Sequence, residues 1–241
     1  MIKLTEKQLF DFIKCPVLYD SIHNKQLFIQ DAISLTKLIE KVSSFFYMNL
    51  LNSKVVSIDT LKRKWDRVCE SNNIHSQKCL EGLDLINRLY KWAKYEELII
   101  LDLNVPYTFT LKYEDDVNIS FKGEISNIAL GKDKKPYLLI TDFSNKYPTQ
   151  PLLDMKLKYT LDSYAFKKLY NKDIGVKFHH VKSDRDYFTF RIEDDFNRLV
   201  RVIRNVALSI DNRLSILEKV LCALVANFLT FVKYGTDNSN N

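Results

Sequence analysis

His179 and His180 stand side by side in an apolar stretch, and paired imidazoles are a common beginning of a metal site. Neighbouring residues on a strand point to opposite faces, so the pair predicts one surface and one core residue rather than a chelate. Cys15, Cys69, Cys79 and Cys222 include no Cys-x-x-Cys pair, so neither a zinc ribbon nor a dense disulfide framework is indicated, and buried reduced thiols are expected. Two groups of cations could meet phosphates. Lys62, Arg63, Lys64 and Arg67 form one helical face, and Lys167, Lys168, Lys172, Arg198, Arg201 and Arg204 form a second cluster. Either could equally serve only to keep a protein in solution. Trp65, Trp92 and Tyr95 fall at helical positions, where packing is the expected role rather than base stacking. Asp142 closes an apolar strand, a place where a carboxylate facing water needs no function.

The elements that must position these groups follow from patterning. With 241 residues, 46% of them hydrophobic, the chain can bury one sizeable core. A net charge of +6 suits a weakly basic protein able to approach polyanions. Charges within residues 1–10 argue against a signal peptide, and no apolar run is long enough to span a bilayer, so no membrane partner and a cytoplasmic location are expected. Only five Gly and five Pro, with abundant Lys, Asn and Ile, suggest an ordered chain and an AT-rich genome such as a phage's.

Thr5 with Gln8 reads as a capping box and Leu4 with Leu9 as a hydrophobic staple, so a helix should begin near Glu6 and end at Cys15-Pro16. Helical spacing continues from Asp31 to about Leu51, from Asp59 to Glu70 and from about Ser76 to Tyr95. Four candidate strands follow: Leu98 to Leu103, Pro106 to Tyr113, Val117 to Ile128 and Pro136 to Phe143. A helix from about Leu152 to Tyr170, strands at Val176 to Val181 and Tyr187 to Ile192, and a helix capped by Asp194 or Asp195 come next. A last apolar helix, including Leu217, Leu221 and Phe228, runs to about Tyr234, before a polar tail over 235–241. These elements predict an α+β fold with a central mixed β-sheet flanked by helices. It is read as a single domain over 1–241, with a helical portion at 30–97 and a core at 98–234.

Several segments resemble the RecB and AddB branch of the PD-(D/E)XK nucleases, which is related to the CRISPR-adaptation exonucleases. Leu4-Thr5 through Cys15-Pro16-Val17-Leu18-Tyr19 is similar to that family's opening helix. Phe121 to Ser126 resembles its Gly-x-Ile-Asp strand, and Leu139 to Ser144 its Ile-x-Asp-aromatic-Lys strand. Thr160 to Ala165 resembles the Gln-x-x-x-Tyr-Ala helix, and Tyr187 to Ile210 the closing strand and helix. The resemblance covers nearly the whole chain and implies an α/β/α nuclease-type core.

In such a site carboxylates on two neighbouring strands bind Mg²⁺, which activates water, and a lysine assists. Carried over by position, the first carboxylate falls on Ser126, the second on Asp142 and the lysine on Ser144; the helical glutamine falls on Thr160, and the Gly-x-x-x-His of the early helix on Ala32 and Thr36. Of the metal-binding and lysine positions only Asp142 keeps its chemistry, so an inactive site is expected. A displaced site would use Glu124 for Ser126 and Lys146 for Ser144, with Glu124 and Asp142 as Mg²⁺ or Mn²⁺ ligands and Glu124, Asp142 and Lys146 as the catalytic set. Each stand-in is one pleat, roughly 7 Å, from its expected place. The family's iron–sulfur branch needs four cysteines, of which Cys15 and Cys222 are the only matches, so no cluster and no resident cofactor are expected.

These observations predict a catalytically degenerate nuclease-fold protein, leaning away from an enzyme, that binds DNA or serves as an accessory subunit in replication, recombination or repair. The alternatives are an active Mg²⁺- or Mn²⁺-dependent DNA exonuclease and a protein-interaction scaffold that associates with itself or a partner through the apolar C-terminal helix.

Overall fold

The computed structural model describes residues 1–23, 34–114 and 117–211. The apolar helix expected near the C-terminus, Cys222 and Ala32 lie outside the described residues. The chain divides into two compact units. One gathers the described residues of Met1–Ile29, Phe109–Gly123 and Val200–Asn241, the other those of Gln30–Thr108 and Glu124–Leu199.

In the first unit β1 (Ile2–Thr5) lies parallel to the start of β3 (Val117–Leu130), with Ile2 opposite Ile119 and Thr5 opposite Lys122. Helix α1 (Glu6–Lys14) starts from the expected capping box. The Gln8 N–H donates to the Thr5 hydroxyl at 3.1 Å, and the Gln8 amide oxygen accepts from the Thr5 N–H at 2.9 Å. Cys15 is extended, which ends α1, and α2 (Pro16–His23) begins at the proline, where a missing N–H costs nothing. Leu4, Leu9, Ile119 and Phe121 are buried, and Phe109 stacks on Phe121 at 5.3 Å.

The second unit opens with three helices, α3 (Leu35–Leu51), α4 (Ile58–Ser71) and α5 (Ser76–Tyr95). Their apolar stripes meet in one core that includes Leu38, Val42, Phe46, Trp65, Ile86 and Leu89. Gly82 is required beneath Trp65, since a Cβ there would sit 2.2 Å from the indole ring. Cys69 and Cys79 are joined as a disulfide between α4 and α5, with their Cα atoms 6.1 Å apart, which corrects the expectation of separate thiols. The two are ten positions apart in sequence, but the tight α4–α5 turn folds them face to face. Cys15 is partly exposed and takes no part in this disulfide.

The strands form a six-stranded mixed sheet in the order β1-β3-β4-β5-β6, with β2 (Ile99–Glu114) also paired to β3. Strand β4 (Pro136–Asp142) runs antiparallel to β3 and parallel to β5 (Gly175–His180), and β6 (Arg185–Thr189) is antiparallel to β5. Tyr137, Leu139 and Thr141 face the helical core, where the Tyr47 hydroxyl donates to Thr141 at 3.3 Å. The opposite face of β5 meets α7 (Leu157–Tyr170), through Phe178 and Tyr159 at 6.2 Å.

Several elements differ from the sequence reading. The two strands expected over 98–113 are one strand, because Asn104 takes a left-handed φ of 51° and lets the chain kink without stopping. The helix expected over 152–170 is two, α6 (Gln150–Asp154) and α7. Helix α8 (Glu193–Asp211) starts where the Asp195 carboxylate accepts from the Ile192 N–H at 3.0 Å. Among the described residues no helix is long and apolar enough to cross a membrane.

Candidate functional site

Asp142 comes to its place because β4 is apolar up to its last residues. Tyr137, Leu138 and Leu139 are buried, and the strand delivers a carboxylate at its C-terminal end that is 27% exposed. The chain then turns back on this group. The Ser144 N–H donates to Asp142 Oδ1 at 3.1 Å and the Ser144 hydroxyl donates to Oδ2 at 2.8 Å.

His180 lies beside Asp142 in register on β5. Its Nε2 is 3.1 Å from the Ser144 carbonyl and 3.9 Å from Asp142 Oδ2, while Nδ1 is 2.6 Å from the Ser183 hydroxyl. A carbonyl only accepts, so Nε2 carries the proton toward it, and in the neutral ring Nδ1 accepts from Ser183. His179 points to the other face, stacked on Trp92 at 4.0 Å, with Nδ1 2.7 Å from Asp186. Both rings are 0% exposed, which corrects the expected surface-and-core pair; each face of β5 is covered, so opposite directions do not mean opposite exposure.

Around Asp142 the other elements contribute unequally. Alternation along β3 puts Ser126 and Glu124 on the Asp142 face, with Ser126 half-buried and Glu124 exposed. The Glu124 carbonyl accepts from Lys158 Nζ at 3.0 Å, and the same ammonium donates to Asp162 Oδ1 at 2.7 Å. Asp162 is 1% exposed, in the stretch of α7 buried continuously from Tyr159 to Phe166. Burial pushes the Tyr159 phenol well up, with Asp142 and Asp162 adding to the shift.

On α3, burial and then the negative charge of Asp142 hold the Glu40 carboxyl above its ordinary value, against the opposing pull of Lys37. A raised carboxyl binds its proton more tightly in the fold, so its contribution favours the fold at acid pH and is lost as pH rises through the raised value. Glu40→Gln should therefore raise the melting temperature at neutral pH by about 1–2 °C, a small effect because water screens a partly exposed group. The gain should vanish below about pH 4. Calorimetry at both pH values checks this, and a lower neutral-pH melting temperature for the variant would mean that Glu40 is held by attraction.

Lys146 lies beyond the end of β4 in an exposed turn, where its N–H and carbonyl are each 3.4 Å from the Ser144 hydroxyl. Strand alternation does not extend to it. Thr160, at the family's glutamine position, accepts from Arg191 Nε at 2.8 Å, and Thr36 is half-buried in the first turn of α3. Glu40 and His180 are neighbours of Asp142 that motif matching did not supply, and the Lys158–Asp162 pair shares with Asp142 an influence on the Tyr159 phenol. Two spacings point toward them: Glu40 is four residues past Thr36 on the same α3 face, and Lys158 is four before Asp162.

These donors do not fit the metal that such a nuclease site requires. Asp142 is occupied by both donors of Ser144, and serines stand where a second carboxylate and a lysine would be. Among the described residues no group of three or more His, Cys, Asp or Glu is placed to hold a metal ion.

Two of the six residues of the second cation cluster, Lys167 and Arg198, pair with carboxylates. Lys167 pairs with Asp173 at 3.1 Å and Glu193 at 3.3 Å, Lys168 lies over the Tyr164 ring at 5.2 Å, and Arg198 pairs with Asp195. Lys172 is exposed just past α7. Arg201 and Arg204 belong to the other unit, where Arg204 donates to the Lys112 carbonyl.

Comparison with known proteins finds likeness in structure only. No protein-family model matches the chain, and no curated protein matches its sequence. A candidate exonuclease from Eubacterium rectale has a similar crystal structure, with a TM-score of 0.51 at 10% identity, over 89% of this chain and 80% of that one. A solved structure of SSO0001 covers 84% of each chain at 12% identity, with a TM-score of 0.34. The first likeness agrees with an α+β, nuclease-type fold.

Proposed function

We propose that this chain is a nuclease-fold protein that has lost metal-dependent cleavage and acts as a DNA-binding or accessory subunit in replication, recombination or repair. The observation that carries the reading is the state of Asp142. Its two carboxylate oxygens accept from the Ser144 N–H and hydroxyl, at 3.1 and 2.8 Å, so the residue at the lysine position is turned onto the carboxylate as a neutral donor. A serine hydroxyl supplies neither the charge that holds Mg²⁺ nor the cation that assists at a phosphate. The position on β3 that would complete the metal pair is likewise a serine, Ser126.

The test is incubation of purified protein with end-labelled single- and double-stranded DNA and Mg²⁺ or Mn²⁺, beside Asp142→Ala, with binding scored on the same samples. Salt-sensitive binding without cleavage is the expected result. Cleavage that disappears in Asp142→Ala would overturn it in favour of a displaced exonuclease site using Glu124, Asp142 and Lys146. Neither binding nor cleavage would leave the fold as a protein-interaction scaffold.

A further inference from the structure

The cations on α4 are arranged differently from those on α7 and α8. At helical spacing Thr60, Arg63, Lys64 and Arg67 share one stripe, while Asp59, Asp66 and Glu70 fall on the stripe beside it. The first stripe and Phe45 of α3 enclose a cavity of about 210 Å³ lined by Phe45, Thr60, Arg63, Lys64 and Arg67. Lys64 Nζ lies 5.5 Å from the centre of the Phe45 ring, and Arg63 Nε donates to the Asp59 carbonyl at 3.4 Å. Lys62, on the acidic side, is the cation that meets the Asp59 carboxylate, at 3.9 Å.

Arg63, Lys64 and Arg67 are exposed, and none forms an ion pair with a carboxylate of the described residues. Arg63 with Arg67 and Lys64 with Arg67 are like-charge neighbours at the spacings where repulsion works against a helix. A stripe kept solely for solubility would gain by interleaving the acids that α4 already carries.

We infer that this cavity is a binding site for single-stranded nucleic acid, its cations holding successive phosphates while Phe45 meets an unstacked base or sugar. The inference rests on the DNA-binding reading above and assigns it a surface. Arg63 and Arg67 are one turn apart, about 6 Å along the helix axis, so they can serve neighbouring phosphates rather than one. Guanidinium groups suit phosphate oxygens, and the Thr60 hydroxyl adds a neutral partner. The aromatic wall favours a single strand, because a duplex keeps its bases stacked inward and away from the ring.

The experiment measures fluorescence anisotropy of a labelled short single strand and of the matching duplex across a salt series. Four proteins are compared: wild type, Arg63→Glu/Arg67→Glu, Phe45→Leu, and Lys132→Glu/Lys135→Glu, which makes the same change in net charge on other exposed side chains. Circular dichroism checks that each is folded. The expected result is a loss of at least tenfold in single-strand affinity for the arginine variant, with the salt slope reduced by about 0.7 for each phosphate contact removed. Phe45→Leu should lose about fivefold on the single strand with its salt slope unchanged and little loss on the duplex. If wild type binds and the arginine variant loses no more than the lysine control, this assignment is overturned while the DNA-binding reading stands. Equal losses on duplex and single strand, with no effect of Phe45→Leu, would overturn the single-strand assignment. If wild type binds neither probe, the DNA-binding reading fails and the site with it.

Discussion

Lys177→Met is expected to cost about 3–5 kcal/mol of folding stability, the range for breaking a buried ion pair by removing one partner. The Lys177 side chain is 5% exposed, and its ammonium lies 2.5 Å from Glu96 Oε2 and 3.1 Å from Asp186 Oδ2. The rings of Trp92, Tyr137 and Phe188 surround it at 5.3–5.4 Å. Without the cation two carboxylates remain in a poorly solvated pocket, with the His179 ring beside Asp186 and no ammonium between them. Burial alone would raise the Asp186 carboxyl, but the hydrogen bond from His179 and the charge of Lys177 outweigh it and hold the pKa below the ordinary value. A depressed carboxyl stabilises the fold above its ordinary pKa and loses that contribution as pH falls through the folded value. In the variant Asp186 can take up a proton more easily, so the penalty should shrink as pH drops toward about 4. Urea unfolding at neutral and acid pH measures both quantities. A cost under about 1 kcal/mol, unchanged by pH, would show that the cation only fills space.

Arg191→Met is expected to cost about 3 kcal/mol, chiefly through the loss of hydrogen bonds that a charged group makes in the interior. The residue is 7% exposed. Its guanidinium donates to the Thr160 and Thr189 hydroxyls at 2.8 and 2.5 Å, and to the carbonyls of Leu153, Phe190 and Lys156 at 2.9, 3.2 and 3.4 Å. Two of those carbonyls, Leu153 and Lys156, flank the break between α6 and α7, where Leu153 also accepts from the Lys156 N–H at 3.2 Å and Lys156 from the Tyr159 and Thr160 N–H groups at 3.1 and 3.3 Å. Arg191→Lys keeps the charge but not the planar fork, so it should recover less than half of the loss. Urea unfolding of both variants, with amide exchange followed in α6 and the first turn of α7, separates the outcomes. Equal stability of the lysine variant and wild type would mean that charge, not geometry, joins the two helices.

Arg191 also shows why parts of this fold could be read in the sequence and parts could not. Helix α5 was legible to its ends because its apolar stripe continues unbroken from Ser76 to Tyr95, and α1 because both halves of its capping box lie within four residues. The break between α6 and α7 is stabilised by an arginine some 35 residues later, which no local pattern announces. Strand β1 has four residues and exists through its pairing with β3, so it was missed beside the strong start signal of α1. At the candidate site, the order of the motifs put Asp142 at the end of its strand, and the serine substitutions were visible at once. Glu40 was not visible, because its exposure to the charge of Asp142 depends on how α3 approaches the end of β4. The burial of both histidines likewise depended on what covers each face of the sheet.

The parallel pairing of β1 with β3 has a consequence for how the chain is made. Ile2 and Ile119, paired in the sheet, are 117 positions apart. At roughly 5–20 residues per second, a ribosome needs about 6–23 s to cover that distance. Through that interval the backbone of Ile2–Thr5 has no strand to join, while α1 can already form behind its own cap. Helices α3, α4 and α5 are complete by Tyr95 and can associate before the partner strand is synthesised. The leading strand therefore depends on late arrival of a distant segment, and the emerging polypeptide presents an unpaired strand edge to chaperones for the whole of that time.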